Sequence, residues 1–206
     1  MLRAAMNRPS KPAARTGASG NLPSNRLRII GGRWRSVPIT FPAIAAIRPS
    51  PDRVRETLFN WLQPVILDAR CLDLFAGSGA LGLEALSRGA SGVDFVDSET
   101  VIGRHLDATL ERLHATGGKV HVADALRFLD RPPQAFDVVF LDPPYASDLL
   151  QRTCSRLAQG WLAADAWIYL ECPADKSLPT FPVGWSVHRS KRAGQVGYYL
   201  LRTMSA

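Results

Sequence analysis

From residue 70 onward, the sequence alternates short, nearly uninterrupted apolar runs with glycine turns and helical segments. The runs are RCLDLF, GVDFV, KVHVAD, FDVVFLD and AWIYLEC. Strands that are apolar on both faces are typical of a parallel sheet covered by helices. The alternation therefore predicts an α/β fold with five parallel strands in this part of the chain.

The end of the chain breaks this alternation. The segment WSVHRSKRAGQVGYYLLR predicts two strands around a glycine-containing turn, with no helix between them. A symmetric dinucleotide-binding fold would instead supply a sixth helix-linked strand. Five parallel strands followed by an antiparallel hairpin make seven strands, the number found in Rossmann-like methyltransferases.

Two helices have candidate caps in the sequence. In RPSPDRVRETLFNWLQ, Ser50 or Asp52 is expected to cap a helix with one apolar face. In SETVIGRHLDATLERLHATGG, Ser98 is the expected cap, and Gly117 and Gly118 are expected to end the helix. The apolar faces are predicted to contain Val54, Leu58, Trp61 and Leu62 in the first helix, and Ile102, Leu106, Thr109, Leu110 and Leu113 in the second.

The positive charge of the chain lies at its N-terminus. Residues 1–55 contain eleven Lys or Arg and one acid, Asp52, whereas the rest has a net charge of −3. A basic arm of this kind is expected to meet a polyanion. We expect residues 1–24 to be a disordered basic tail, with a transit peptide as the alternative. Residues 25–48 are expected to form a β-hairpin that carries Arg28, Arg33 and Arg35, and residues 49–206 the main domain.

Several other classes of protein are disfavoured. Cys71, Cys154 and Cys172 are widely spaced and are expected to be buried thiols in a reducing compartment. The four histidines show no metal-binding spacing, so we expect no metal site. No apolar segment approaches the roughly 18 residues of a membrane span, and the N-terminus lacks the apolar region of a secretory signal.

The segment DLFAGSGALG contains a GxGxxG turn, from Gly77 to Gly82, between a strand and a helix. Glycines there let the backbone approach a ligand, and the helix N-terminus suits a pyrophosphate or a carboxylate. Asp97 ends the second strand, where an acid that binds a ribose belongs. NAD and S-adenosylmethionine both satisfy this pattern. Asp73 favours S-adenosylmethionine, because an acid would repel a pyrophosphate but pair with an ammonium group.

Two of these acids have a structural alternative. Asp73 could cap the glycine turn without touching a ligand. Asp124, which ends the third strand, could face an adenine edge or cap the helix that follows it. The sequence leaves both alternatives open.

The fourth strand ends in Asp142-Pro143-Pro144-Tyr145. Two prolines remove two backbone donors and stiffen the segment, so it can hold groups in place. The Asp142 carboxylate and the Pro143 carbonyl could accept the two hydrogens of a nucleobase amine, and Tyr145 could stack on the base. The alternative is an ordinary turn. In a doubly wound sheet the first and fourth strands would flank the ligand-binding crevice.

Taken together, these motifs resemble the RsmD family, bacterial S-adenosylmethionine-dependent methyltransferases that modify guanine N2 in 16S ribosomal RNA. The resemblance covers residues 26 to about 203. It rests on RIIGGRWR, RPSPDRVRETLFNWL, LDLFAGSGALGLEALSRGA, DVVFLDPPY and AGQVGYYLL. It implies a Rossmann-like class I methyltransferase fold: a seven-stranded, mostly parallel sheet with a C-terminal antiparallel hairpin and a small N-terminal hairpin extension.

The resemblance also implies roles for individual residues. The cofactor residues expected from it are Asp73, Gly77, Ser78 and Gly79 at the loop, Asp97 and Ser98 at the ribose, and Asp124 and Ala125 at the adenine. The expected catalytic loop is Asp142, Pro143, Pro144 and Tyr145. The RPSPDRVRE segment is expected to close over the methionine end of the cofactor. The expected RNA contacts are Arg28, Arg33, Arg35, Arg48, Arg53 and Arg55.

Two departures from the family pattern matter. The family usually has Glu where this chain has Asp97, and it does not require the basic tail. The resemblance predicts a cytoplasmic monomer that acts on 16S rRNA within the small ribosomal subunit. Three other hypotheses remain: an amino methyltransferase acting on DNA adenine or cytosine, a NAD-linked oxidoreductase, and a non-catalytic RNA-binding module.

Overall fold

The structure, a computed structural model, describes residues 24–43, 50–144 and 148–204. The predicted basic tail therefore lies outside the described residues, apart from Ser24. Strand β1 (Ser24–Arg28) pairs antiparallel with β2 (Pro38–Pro42), which confirms the N-terminal hairpin. Its connection is nine residues long and contains a 3-10 turn at Gly32–Trp34, so the Gly-Gly pair is not a tight turn between the strands.

A seven-stranded sheet forms the centre of the molecule. The parallel strands are β3 (Arg70–Asp73), β4 (Gly92–Asp97), β5 (Gly118–Val122), β6 (Phe136–Leu141) and β7 (Leu162–Pro173). The antiparallel C-terminal hairpin consists of β8 (Trp185–Ala193) and β9 (Val196–Thr203). The order across the sheet is β5-β4-β3-β6-β7-β9-β8, and the predicted fold class is confirmed.

Helices cover both faces of this sheet. They are α1 (Asp52–Leu62), α2 (Ala80–Ser87), α3 (Thr100–Arg112), α4 (Ala125–Leu129) and α5 (Leu149–Leu157). Along β6, Val138 and Phe140 pack on the side of α1, α2 and α3, whereas Val139 and Leu141 pack on the side of α4 and α5. This alternation explains why the central strands are apolar throughout. The edge strand β5 is only partly buried, because it has a neighbour on one side alone.

The predicted caps are wrong. Pro51 precedes α1, and the Ser50 hydroxyl donates to Glu171 instead of capping the helix. Asp52 lies in the first turn of α1, where it pairs with Arg55. Glu99, not Ser98, precedes α3.

The other end of α3 also differs from the prediction. The helix ends at Arg112, and His114 adopts a left-handed conformation with φ of 50°. Gly118 already belongs to β5, so the glycine pair does not end the helix.

Three further observations bear on the sequence predictions. The thiols of Cys71, Cys154 and Cys172 are buried and free, as expected. Within the described ranges, no group of three or more His, Cys, Asp or Glu side chains could hold a metal ion. None of the helices in the part of the chain that the structure describes is long and apolar enough to cross a membrane.

Candidate active site

The candidate site lies at the carboxyl ends of β3 and β6, in the middle of the sheet. Strand β4 pairs with one side of β3 and β6 with the other, so the strand order reverses there. The Leu74 amide donates to the Phe140 carbonyl at 3.2 Å, which continues the pairing to the end of the strands. A crevice opens beyond the strand ends at such a switch point, and ligands of doubly wound sheets bind in it.

The glycine loop after β3 adopts a backbone conformation that favours glycine. Gly77 and Gly79 have φ values of 49° and 74°, in the left-handed region. A Cβ atom on Gly79 would lie 2.5 Å from the side chain of Leu106. The loop turns directly into α2, and Ser78 between the glycines is buried. This geometry leaves backbone groups and a helix N-terminus facing the crevice.

Asp73 is a buried acid beneath this loop. Its carboxylate accepts a hydrogen bond from the Gly82 amide at 2.9 Å, in the first turn of α2. Burial, reinforced by the charge of Asp97, raises the pKa of Asp73 to about 7. The capping alternative is therefore present in the structure. A carboxylate held in this environment is also well suited to pair with the ammonium group of a ligand, because a positive charge would offset its desolvation.

Asp97, the last residue of β4, links this strand to the glycine loop. One carboxylate oxygen accepts from the Gly77 amide and the other from the Glu99 amide, each at 2.9 Å. These bonds hold the acid at the rim of the crevice, and each carboxylate oxygen has a second lone pair for a ribose hydroxyl. Ser98 is exposed beside it.

Asp124 has a clear structural role. Its carboxylate accepts hydrogen bonds from the Leu126 and Arg127 amides at 3.0 Å each, so it caps α4. Ala125, the first residue of that helix, is buried. The helix-cap alternative for Asp124 is thus realised, and a contact with adenine stays a prediction.

The segment after β6 brings a second acid to the crevice. Asp142 is half-buried. Desolvation, followed by the charges of Glu171 and Asp73, raises its pKa well above the ordinary value. Pro143 is buried and Pro144 is exposed, so the first proline is packed into the protein. Tyr145 lies outside the described residues.

Sequence reasoning missed Glu171. It lies in β7, and because Leu141 pairs with Leu170, Asp142 and Glu171 follow at the ends of neighbouring parallel strands. Glu171 is buried and accepts hydrogen bonds from the hydroxyls of Ser50 and of Tyr169, the latter at 2.7 Å. Burial raises its pKa despite these two bonds. An acid within the apolar run AWIYLEC was the available signal.

A cavity of about 170 Å³ opens beside these acids. Pro143 and Pro144 form part of its wall, together with Glu171, and the segment after β7 completes it. The cavity is therefore continuous with the stiff segment that was predicted to be catalytic. Its remaining lining residues include Leu150, Gln151, Cys172 and Pro173.

The predicted RNA-binding arginines fall into three groups. Arg33, Arg35 and Arg53 are exposed, and Arg28 is exposed although its guanidinium lies 3.1 Å from the Asp52 carboxylate. Arg48 lies outside the described residues. Arg55 is fully buried, so the prediction that it contacts RNA is corrected: in this structure it faces the protein interior.

Arg55 belongs instead to a buried polar cluster that holds the N-terminal elements in place. Its guanidinium lies 2.6 Å from Asp52 and 3.7 Å from Glu84 of α2. Glu84 also accepts hydrogen bonds from the Ile30 and Gly31 amides, both at 2.8 Å. One acid on the helix that follows the glycine loop therefore anchors both α1 and the hairpin.

Comparison with known proteins identifies the family to which this chain belongs. The sequence model of a family described as conserved hypothetical protein 95 matches residues 27–202. The Escherichia coli (strain K12) protein named ribosomal RNA small subunit methyltransferase D is 48% identical over 178 residues, which cover 86% of this chain and 90% of the relative. The chain belongs to the RsmD family.

Two further relatives agree with this assignment to the RsmD family. The Haemophilus influenzae protein named ribosomal RNA small subunit methyltransferase D is 42% identical over 179 residues, covering 84% of this chain and 92% of the relative. A solved structure described as "Putative methyltransferase yhhF from Escherichia coli" is 46% identical, with a TM-score of 0.82, and covers 88% of this chain and all of the other. The RsmD-family resemblance and the Rossmann-like fold are thus confirmed.

Proposed function

We propose that this protein transfers a methyl group from S-adenosylmethionine to the exocyclic N2 amine of a guanine in 16S rRNA of the small ribosomal subunit. The observation that carries the proposal is the pairing of β3 with β6, which puts the glycine loop and Asp142-Pro143 at the same crevice. Membership of the RsmD family supports methyl transfer, and the names of the relatives support an rRNA acceptor.

The residues of the loop fit the cofactor. S-adenosylmethionine, when bound, supplies an electrophilic methyl group on a sulfonium sulfur. The buried Asp73 carboxylate offers a partner for an ammonium group, and Asp97 offers acceptors for ribose hydroxyls. The left-handed conformations of Gly77 and Gly79 turn the loop directly into α2, whose N-terminus suits the carboxylate of the cofactor.

The segment after β6 would hold the accepting amine. The lone pair of a guanine amine is delocalised into the ring, so the nitrogen attacks poorly until it becomes more tetrahedral. Acceptance of its two hydrogens by the Asp142 carboxylate and the Pro143 carbonyl would aim the lone pair at the methyl group. Such positioning lowers barriers by about 7–11 kcal/mol in favourable cases. The amine nitrogen would displace the methyl group from the sulfonium sulfur, so that the N–C bond forms as the S–C bond breaks and a neutral thioether leaves. The methylated nitrogen would then lose its proton to solvent.

The N-terminal hairpin would hold the RNA. Arg33 and Arg35 are exposed on its connection, and Arg53 is exposed at the start of α1. Their charges complement the phosphates of a polyanion, and the target base would leave its stack to reach Asp142. In this proposal, residues 25–48 form an RNA-binding unit attached to the methyltransferase domain.

The proposal is tested by methyl transfer from radiolabelled S-adenosylmethionine to three acceptors in parallel. These are small ribosomal subunits that lack the modification, naked 16S rRNA, and duplex DNA. Label that digests to N2-methylguanosine supports the proposal, whereas label in DNA alone contradicts it. The Asp142→Asn variant should bind S-adenosylmethionine as the wild type does but lose transfer, and near-normal turnover would remove Asp142 from the reaction.

A further inference from the structure

A second basic region lies at the other end of the chain, and the function proposed above does not use it. Residues 176–206 contain five Lys or Arg and no acid, whereas residues 56–175 contain nine Lys or Arg and seventeen acids. The chain therefore has two basic ends around an acidic middle. A distribution of this kind is expected when a polyanion is contacted from two sides.

The structure concentrates this charge on one strand. Arg189, Lys191 and Arg192 are all exposed on β8, the outermost strand of the sheet. Arg192 donates to the Gly194 carbonyl at 2.8 Å. Neither Arg189 nor Lys191 forms an ion pair with any residue in the ranges that the structure describes. Their charges are consequently available to a partner.

The register of the hairpin brings these charges to the active-site end of the sheet. Lys191 pairs with Tyr198, which in turn pairs with Glu171. Neighbouring strands are about 4.8 Å apart, so Lys191 lies two strand spacings, about 10 Å, from Glu171. Arg189 and Lys191 are two residues apart on a strand and therefore share a face.

The two basic regions lie on opposite sides of the catalytic segment. The N-terminal hairpin is anchored to α2 through Glu84 and Ser87, and β2 also packs against α3, towards the β4 and β5 side of the sheet. Strand β8 forms the opposite edge, and β6, which ends before Asp142, lies between them. An RNA strand that reaches both regions would pass over the catalytic segment.

We propose that Arg189 and Lys191, which share one face of β8, form a second phosphate-binding surface for the RNA substrate. This inference rests on the proposed function, because it takes RNA as the partner. The charges would hold the phosphates on the β8 side of the target nucleotide while the N-terminal hairpin holds the other side. A competing explanation is that basic side chains only keep an exposed edge strand from pairing with another chain.

The test compares wild-type protein with the double variant Arg189→Gln/Lys191→Gln. Binding to naked 16S rRNA is measured across a salt series, together with kcat and KM for methyl transfer. Each phosphate contact contributes about 0.7–0.9 to the slope of log K against log[salt], so the variant should lose about 1.4–1.8. We expect KM for RNA to rise and kcat and the affinity for S-adenosylmethionine to stay unchanged.

Arg202→Gln is the matched control. Arg202 lies on the same hairpin, but it pairs in register with Trp167, away from the active-site end, and its guanidinium lies 3.4 Å from Asp165. The control should keep the wild-type slope. An unchanged slope in the double variant, with self-association in sedimentation experiments, would overturn the inference in favour of edge protection. If the wild type methylates neither naked 16S rRNA nor the small ribosomal subunit, the proposed function fails, and the two failures are thus distinguished.

Discussion

The carboxylate of Glu84 lies 3.7 Å from the guanidinium of Arg55, and both side chains are completely excluded from solvent. Arg55 comes from α1 and Glu84 from α2, the helix that begins at the glycine loop. Two nitrogens of Arg55, Nε and Nη1, have no hydrogen-bond partner among the described residues. The charge of Arg55 therefore depends on Glu84 and Asp52 for its compensation.

Replacement of Glu84 by Gln should strongly destabilise the protein. It leaves Arg55 as an incompletely paired buried charge, and breaking one side of a buried ion pair costs about 3–5 kcal/mol. Urea unfolding gives the change in free energy. Asp165→Asn is the control, because its pair with Arg202 is about half-exposed and such pairs contribute about 0–1 kcal/mol. Equal losses in the two variants would show that the Glu84 cluster does not anchor the N-terminal elements.

Glu171 should set the pH dependence of the reaction through Asp142. Burial is the main cause of the raised pKa of Asp142, and the negative charge of Glu171 is the next. Glu171→Gln removes that charge, so the pKa of Asp142 should fall. If ionised Asp142 is the acceptor for the amine, the acidic limb of kcat/KM should move to lower pH.

The control for this measurement is Asp148→Asn. Asp148 lines the same cavity but is exposed and is not among the groups that raise the pKa of Asp142. Its pH profile should match that of the wild type. An unmoved acidic limb in Glu171→Gln would mean that another group controls the reaction at low pH.

Asp73 should make the ligand-free protein less stable as the pH rises. Its pKa is about 7 in the folded protein and 3.8 when unperturbed, so the unfolded chain loses its proton first. Stability then falls as the pH rises from about 4 through 7, by about 4 kcal/mol for a shift of this size. Asp73→Asn keeps an acceptor for the Gly82 amide but cannot ionise, so it should remove this part of the slope.

Unfolding free energies at several pH values between 4.5 and 8 check this prediction. Burial also raises the pKa values of Asp142 and Glu171, so a slope of the same sign should remain in the variant. Asp107→Asn, at an exposed position of α3, should follow the wild-type curve. If the unfolding free energy of Asp73→Asn also had the same pH dependence as that of the wild type, burial would not raise the pKa of Asp73.

The positions of the acids at the strand ends could be predicted because they depend on local sequence patterns. The apolar runs fixed where strands end, and parallel strands with helical crossovers place those ends together. Asp73 and Asp97 therefore end β3 and β4, and Asp142 directly follows β6, at the strand ends that the apolar runs predict. Glu171 required the register between β6 and β7, which no local pattern supplies.

Arg55 shows a different kind of error. The family resemblance implied that Arg55 contacts RNA. Arg55 lies three, four and seven residues before Leu58, Phe59 and Leu62, which belong to the buried face of α1. The helical periodicity of the sequence alone therefore predicts that Arg55 lies on the buried face of α1. The cap prediction for Ser50 fails because its hydrogen-bond partner, Glu171, is 121 residues away in sequence and no local pattern reveals it.

The docking of the hairpin should depend on Gly32. Gly32 has φ of 74°, and a Cβ atom there would lie 1.9 Å from the Ser87 carbonyl oxygen. Gly194, in the turn between β8 and β9, has φ of 59° but nothing within 4 Å of an added Cβ. A side chain would therefore strain the left-handed backbone at both glycines, but it would clash with a neighbouring residue at Gly32 and not at Gly194.

Alanine at each position separates these two effects. Gly194→Ala should cost about 1–2 kcal/mol from the left-handed backbone alone. Gly32→Ala adds overpacking of about 1–3 kcal/mol, for a total of about 2–5 kcal/mol, or else the hairpin leaves α2. Release of the hairpin would let the backbone of β1 unfold locally, so trypsin should cleave after Arg26 and Arg28 faster in Gly32→Ala than in Gly194→Ala. It should also weaken RNA binding while the affinity for S-adenosylmethionine is kept, and similar behaviour of the two variants would show that contact with Ser87 does not hold the hairpin.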